Sequence, residues 1–219
     1  MAAEKEDDML TIMEELITRY PQLGVCRGEV EEACRALIRC FSTGHKLLVC
    51  GNGGSCADAE HIVGELMKGF LKKRPLSGDI RDKMKKENPL LEDGLLDQLQ
   101  CGLPAISLTG SPALSTAFAN DVNPELIYAQ QVIGLGESGD VLLGISTSGN
   151  AANVYAAAQV ARGLQMEVIG LTGRDGGKLK GCSDICIVVP EKETFKIQEL
   201  HLPVYHALCA AAEAHFFAE

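Results

Sequence analysis

Five short apolar runs, each separated from the next by a segment of helical pattern, limit what this chain can fold into. They are Lys46 to Cys50, Pro104 to Leu108, Asp140 to Ile145, Glu167 to Leu171 and Asp184 to Val189. Runs of this length with little polar alternation read as strands buried on both faces. Strands that alternate with helices pair in parallel through right-handed crossovers, with helices on both sides of the sheet. The fold class is therefore α/β: a three-layer αβα sandwich on a five-stranded parallel sheet, with ligands expected at the carboxyl ends of the strands. Two helices are expected ahead of the sheet, over Met9 to Tyr20 and Val30 to Phe41, with a turn around Pro21 and Gly24. The last long element, Thr194 to Phe217, reads as a helix with Pro203 inside it or at a break.

A chain of 219 residues suits one domain, 1–219, better than two. Between Leu76 and Gln100 the pattern shifts to charged residues, a proline and paired leucines with no strand signal, which predicts an inserted, partly helical excursion over 76–100. A net charge of −10, with basic residues gathered only in short runs such as Lys72-Lys73-Arg74 and Lys85-Lys86, argues against nucleic acid as a partner. No apolar run reaches membrane-spanning length, and the acidic start lacks a secretory layout, so no membrane partner and a cytoplasmic location are expected. Nine cysteines without a C-x-x-C pair read as reduced, mostly buried thiols.

Two strand ends carry chemistry. Gly51-Asn52-Gly53-Gly54-Ser55 closes the first strand and opens a helix, so ligand can approach its backbone and meet unpaired N–H groups at the helix start. A plain tight turn would account for this loop as well. It matches neither the triphosphate-binding nor the dinucleotide-binding glycine pattern. Ser146-Thr147-Ser148-Gly149-Asn150 closes the third strand, and three hydroxyls in a row exceed what a helix cap needs. Together the loops point to phosphate or another oxyanion. His61 and Glu65 lie four residues apart on one helical face just after the first loop, a spacing that suits a shared metal, an acid/base pair or a plain surface hydrogen bond. Gln198, His201 and His206 offer further donors from the last helix, although eight helical residues put Gln198 about 12 Å from His206 along the axis.

Read together, Gly51 to His61, Ala119-Asn120-Asp121, Ser146 to Asn150 and Gln198 to His206 resemble the sugar-isomerase (SIS) domain family over nearly the whole chain. Within it they resemble the branch that converts sedoheptulose 7-phosphate to D-glycero-D-manno-heptose 7-phosphate through an enediol. The resemblance implies an aldose–ketose isomerase, an αβα sandwich and a homotetramer with sites between subunits. It implies zinc held by His61, Glu65, Gln198 and His206. By the same analogy Asn52, Gly53, Gly54, Asn120, Asp121 and Gln198 meet the sugar, Ser55, Ser146, Thr147 and Ser148 meet the phosphate, Glu65 is the base and His206 its acid partner. The chain departs from the family pattern at Ala151, where serine is common, and at Gly69 with Lys68 beside it, where an arginine is common. The competing reading is a non-catalytic SIS protein that senses a sugar phosphate or binds a protein such as a replication initiator.

Overall fold

A computed structural model of the chain describes residues 2–217. All five predicted strands form, as β1 Leu47–Gly51, β2 Ala105–Ser107, β3 Val141–Ser146, β4 Glu167–Thr172 and β5 Ile185–Val188. Every pairing among them is parallel, in the order β2-β1-β3-β4-β5. Side chains alternate between two cores, as the two-residue period of a strand requires. Leu47, Val49, Val141, Leu143, Ile145, Ile169 and Leu171 point into one, while Leu48, Cys50, Leu142 and Val168 point into the other. Fully burying each of these leucines and valines contributes on the order of 1.5–3 kcal/mol.

The first core is covered by α1 Ala2–Arg19, α2 Arg27–Ser42, α3 Gly54–Met67 and, near the end of the chain, a long helix over Thr194–Phe216. In α2 the buried Val30, Ala33, Cys34, Leu37, Cys40 and Phe41 recur at helical spacing, which is why this segment lies flat on the sheet. A 3-10 turn over Pro21–Cys26 joins α1 to α2. Between β1 and β2 the chain makes a detour, α4 Gly78–Glu87 and α5 Asp93–Leu96, closed at its base by an antiparallel bridge from Pro75 to Gln100. Ser77 caps α4, and Arg81 ties it to Asp93 and Asp97 at 3.3 and 2.7 Å. The second core is covered by α7 Ile127–Leu135, α8 Ala152–Gly163 and α9 Gly177–Lys180, with Tyr128, Val132, Val154, Ala157 and Leu179 buried in it, while α6 Pro112–Asp121 buries no residue and lies outside it against α7. The final helix, α10 Thr194–Phe216, runs unbroken through the buried Pro203.

The strand order determines where a ligand can go. From β1 the chain moves outward to β2 on one side and then returns to β3 on the other, so the helices after β1 and β3 diverge and leave a crevice between their N-termini. Both loops singled out above open at that crevice. Among the described residues no helix is long and apolar enough to cross a membrane. All nine cysteines are free, and five are buried.

Candidate active site

The two strand-end loops are bolted to each other. Asn52 and Asn153 exchange amide hydrogen bonds of 2.8 and 2.9 Å, joining the loop after β1 to the first turn of α8. Tyr128 donates its hydroxyl to the Gly51 carbonyl at 2.6 Å and lies 3.2 Å from Asn52 Oδ1, which fixes the same loop from behind. In the serine loop Gly149 has φ +64°, and a Cβ there would run into the Gly176 carbonyl, so only glycine lets the loop pack against α9. The Asn150 carboxamide donates to Ser148 O at 2.9 Å and accepts from Lys178 N at 3.2 Å, completing the attachment. Asn153 and Tyr128 had no local sequence signal: each is tied to the site by a partner 76 to 101 residues away.

These loops enclose a cavity of about 360 Å³ lined by Asn52, Gly53, Gly54, Ser55, Ser146, Thr147 and Ser148, with Ile145, Ala151, Thr194 and Gln198 completing its wall. Helix starts at Gly54 and Ala152 and five side-chain hydroxyls, of Ser55, Ser146, Thr147, Ser148 and Thr194, give it the donors an anionic oxygen requires. Asn120 and Asp121 are not part of that wall. They are exposed at the end of α6 and hydrogen-bond to each other at 2.9 Å.

Two turns along α3 lies a second group. His61 Nε2 is 3.2 Å from Glu65 Oε1, and Lys68 Nζ is 3.3 Å from Glu65 Oε2, so the largely covered Glu65 carboxylate stands between two side-chain nitrogens. The His206 ring is edge-on to His61 with centroids 5.1 Å apart, and Phe70 lies against it at 5.4 Å. Burial, and after it the neighbouring His61, hold the His206 imidazole below the usual histidine value, against the pull of Glu65. The shift favours the neutral imidazole, the form that can take up a proton. His206 also lines a cavity of about 330 Å³ between α1 and α10, rimmed by Arg19, Tyr20, Leu71 and Leu202. At Gly69 a Cβ would stand only 2.5 Å from the Lys72 carbonyl oxygen, so the turn after α3 has no room for a side chain and its cation comes from Lys68 instead.

One buried ion pair holds this turn in place. Glu213 on α10 accepts N–H bonds from Phe70, Leu71 and Lys72 at 2.9, 2.7 and 3.1 Å and is 2.7 Å from Arg74 Nε. The Arg74 guanidinium also donates to the carbonyls of Leu66 and Glu65 at 2.6 and 3.1 Å, satisfying the open end of α3. Arg74, the last residue of the short basic run Lys72-Lys73-Arg74, is 1% exposed.

The four proposed metal donors separate into two groups. His61, Glu65 and His206 gather at one level of the α3–α10 packing. Gln198 lies at Gly54, so close that a Cβ there would strike its carboxamide, and it faces the phosphate-type cavity. The reason is the one given by helix geometry: residues eight apart in an unbroken helix differ by about 12 Å in height. The two nitrogens and one oxygen of the lower group are donors that zinc accepts, and His206 Nε2 is buried with no hydrogen-bond partner. Among the described residues, however, no group of three His, Cys, Asp or Glu side chains is placed to hold a metal ion.

A parallel sheet with two donor-rich strand-end loops at one crevice and a carboxylate–imidazole cluster along α3 is the layout of an αβα domain that takes its ligand at the strand ends. Residues 25–89 and 93–173 match the SIS domain family. The phosphoheptose isomerase of Thiobacillus denitrificans is 40% identical over 188 residues, covering 84% of this chain and 82% of that protein. The solved structures of the phosphoheptose isomerases from Neisseria gonorrhoeae and Francisella tularensis superpose with TM-scores of 0.70 and 0.73 at 32% and 31% identity. Each covers 97% of this chain, which in turn spans 96% and 98% of theirs. The chain belongs to the SIS domain family and, within it, to the phosphoheptose isomerases. It is an isomerase of the intramolecular oxidoreductase type.

Proposed function

We propose that the chain converts sedoheptulose 7-phosphate to D-glycero-D-manno-heptose 7-phosphate, with the phosphate in the serine-loop cavity and the carbonyl end toward Glu65 and His206. The observation that carries this reading is the Glu65 carboxylate, largely covered and flanked by His61 at 3.2 Å and Lys68 at 3.3 Å. Moving a carbonyl from C2 to C1 means taking the C1 proton, passing through an enediol and returning a proton to C2. Glu65 takes and returns that proton. His206, near its neutral form, relays the hydroxyl proton between O1 and O2. Ser55, Ser146, Thr147 and Ser148 hold the phosphate, Asn52, Gly53, Gly54 and Gln198 the adjoining sugar hydroxyls, and Asn120 and Asp121 the sugar when they approach from α6. A zinc ion held by His61, Glu65 and His206 would supply electrophilic stabilisation of the developing oxyanion. The donor chemistry supports this, and Gln198 serves the substrate side of the set. Nine free thiols suit a reducing compartment, and the reaction is assigned to the cytoplasm.

Incubating the protein in deuterated water with a panel of ketose phosphates tests the proposal. NMR should show deuterium entering beside the carbonyl of sedoheptulose 7-phosphate at a rate matching aldose formation. Exchange confined to a different ketose phosphate would replace the substrate, and no exchange on any of them would end the isomerase mechanism proposed here.

The chain is further proposed to work as a homotetramer whose sites lie between subunits. The His206 cavity is rimmed by Leu71, 70% exposed, and Leu202, 40% exposed, an apolar margin suited to cover by another copy. Light scattering at micromolar concentration should give four times the 23.4 kDa chain mass. A fully active monomer would rule this out.

A further inference from the structure

Behind His61 runs a hydrogen-bond chain that the mechanism above does not use. Tyr205, 1% exposed, places its hydroxyl 3.0 Å from His61 Nδ1 and 3.3 Å from Asp58 Oδ1, and its ring is edge-on to His61 with centroids 5.5 Å apart. Asp58 is one turn before His61 on α3, and its second oxygen, Oδ2, is buried with no partner. One hydroxyl proton must serve two neighbours. If Tyr205 gave it to His61, Asp58 would be left with no donor on either oxygen, a bare carboxylate in a covered position, which is the costly arrangement. If Tyr205 gives it to Asp58, the tyrosine oxygen is left as an acceptor, and His61 Nδ1 must carry the hydrogen that fills it.

We propose that Asp58 and Tyr205 are positioning residues that lock His61 in the Nδ1–H form and aim the free lone pair of Nε2 at Glu65. Two atoms that both accept, Nε2 and the Glu65 carboxylate oxygen, then face each other at 3.2 Å. Such a pair is satisfied by a cation between them or by a proton shared across them. The relay thus prepares the His61–Glu65 gap for a divalent metal ion, and this use of it rests on the zinc reading above. The tautomer itself follows from the Asp58–Tyr205–His61 geometry alone. Outer partners of this kind set which imidazole nitrogen ligates, and their loss weakens metal binding by about 10–100-fold.

The test uses the full chain, metal-free, labelled with 15N-histidine, with the His61 signals assigned by their loss in His61→Asn. Long-range 1H–15N correlation should show His61 Nδ1 protonated and Nε2 bare. Tyr205→Phe removes the hydroxyl and should move His61 toward the Nε2–H form. Asp58→Asn should do the same by another route, because its amide donates to the tyrosine oxygen and frees the hydroxyl proton for Nδ1. The second variant, at a half-buried position, keeps the test decisive if the first does not fold. Titration with zinc ion alone, against a competing chelator, should show affinity lower by about 10–100-fold in both variants. A wild-type His61 in the Nε2–H form, or one unmoved in both variants, overturns the relay. Normal tautomer shifts with no zinc uptake by the wild-type chain would instead uphold the relay and overturn the metal reading.

Discussion

Glu65→Gln is expected to lower turnover and solvent-deuterium exchange together, by on the order of a hundredfold or more, because the amide keeps the shape of the side chain and loses the base. The environment makes this a clean substitution. Glu65 lies between His61 Nε2 at 3.2 Å and Lys68 Nζ at 3.3 Å; the amide N–H of the variant can donate to Nε2 and its oxygen can accept from Lys68, so the variant should fold with its helix unchanged. Substrate affinity should survive, since the phosphate cavity draws none of its wall from Glu65. Metal content is to be measured alongside: a variant that holds its metal and shows no exchange assigns the loss to proton transfer. Near-normal turnover with unchanged metal content would remove Glu65 from the mechanism.

The second large effect is on stability. Glu213→Gln leaves the Arg74 guanidinium, 1% exposed, without its counter-charge in the interior. Breaking a buried pair from one side costs about 3–5 kcal/mol, far more than a surface ion pair of similar geometry. Urea unfolding should show a loss of that size, and one below about 1 kcal/mol would mean that the pair is not what anchors the turn after α3. The pH dependence has a definite sign. Burial raises the Glu213 carboxyl, but the N–H groups of Phe70 and Leu71 and the Arg74 side chain outweigh it, and the net effect is a value below that of an ordinary glutamate. A carboxyl depressed in the folded state contributes stability above its unfolded pKa and loses it as pH falls through the folded value. The gap between wild type and Glu213→Gln should therefore be full at neutral pH and close in acid, below about pH 4.5. Glu213 holds the Phe70 N–H and the Phe70 ring lies against His206, so turnover is expected to fall in the same variant.

The layout of the polypeptide was legible because its signals are local. A run such as Leu47 to Cys50 has no exposed face, so its residues carry their burial in their own composition, and the glycines and hydroxyls after β1 and β3 announce the donor-rich loops that line a common cavity. The spacing of His61 and Glu65 was likewise enough to place them on one helical face, and they meet there. Gln198 and His206 show the limit of the same reasoning. Helix geometry gave their separation, but only packing against α3 revealed that one faces Gly54 and the other His61.

By itself, the sequence determined the five strands, their parallel pairing through helical crossovers, both glycine- and serine-rich strand-end loops and the residue types that follow them. Each of these depends on neighbours within a turn or a strand. The tertiary structure alone decided the order β2-β1-β3-β4-β5, which brings the loops after β1 and β3 to one crevice. It also decided the partners of Asn52, Arg74 and Tyr205, which lie 101, 139 and 147 residues away at Asn153, Glu213 and Asp58. The physical reason is the same in each case. A polar side chain is chemically compatible with many partners, and which one it receives is set by how helices and strands distant along the chain pack around the two cores; burial then makes leaving that partner costly.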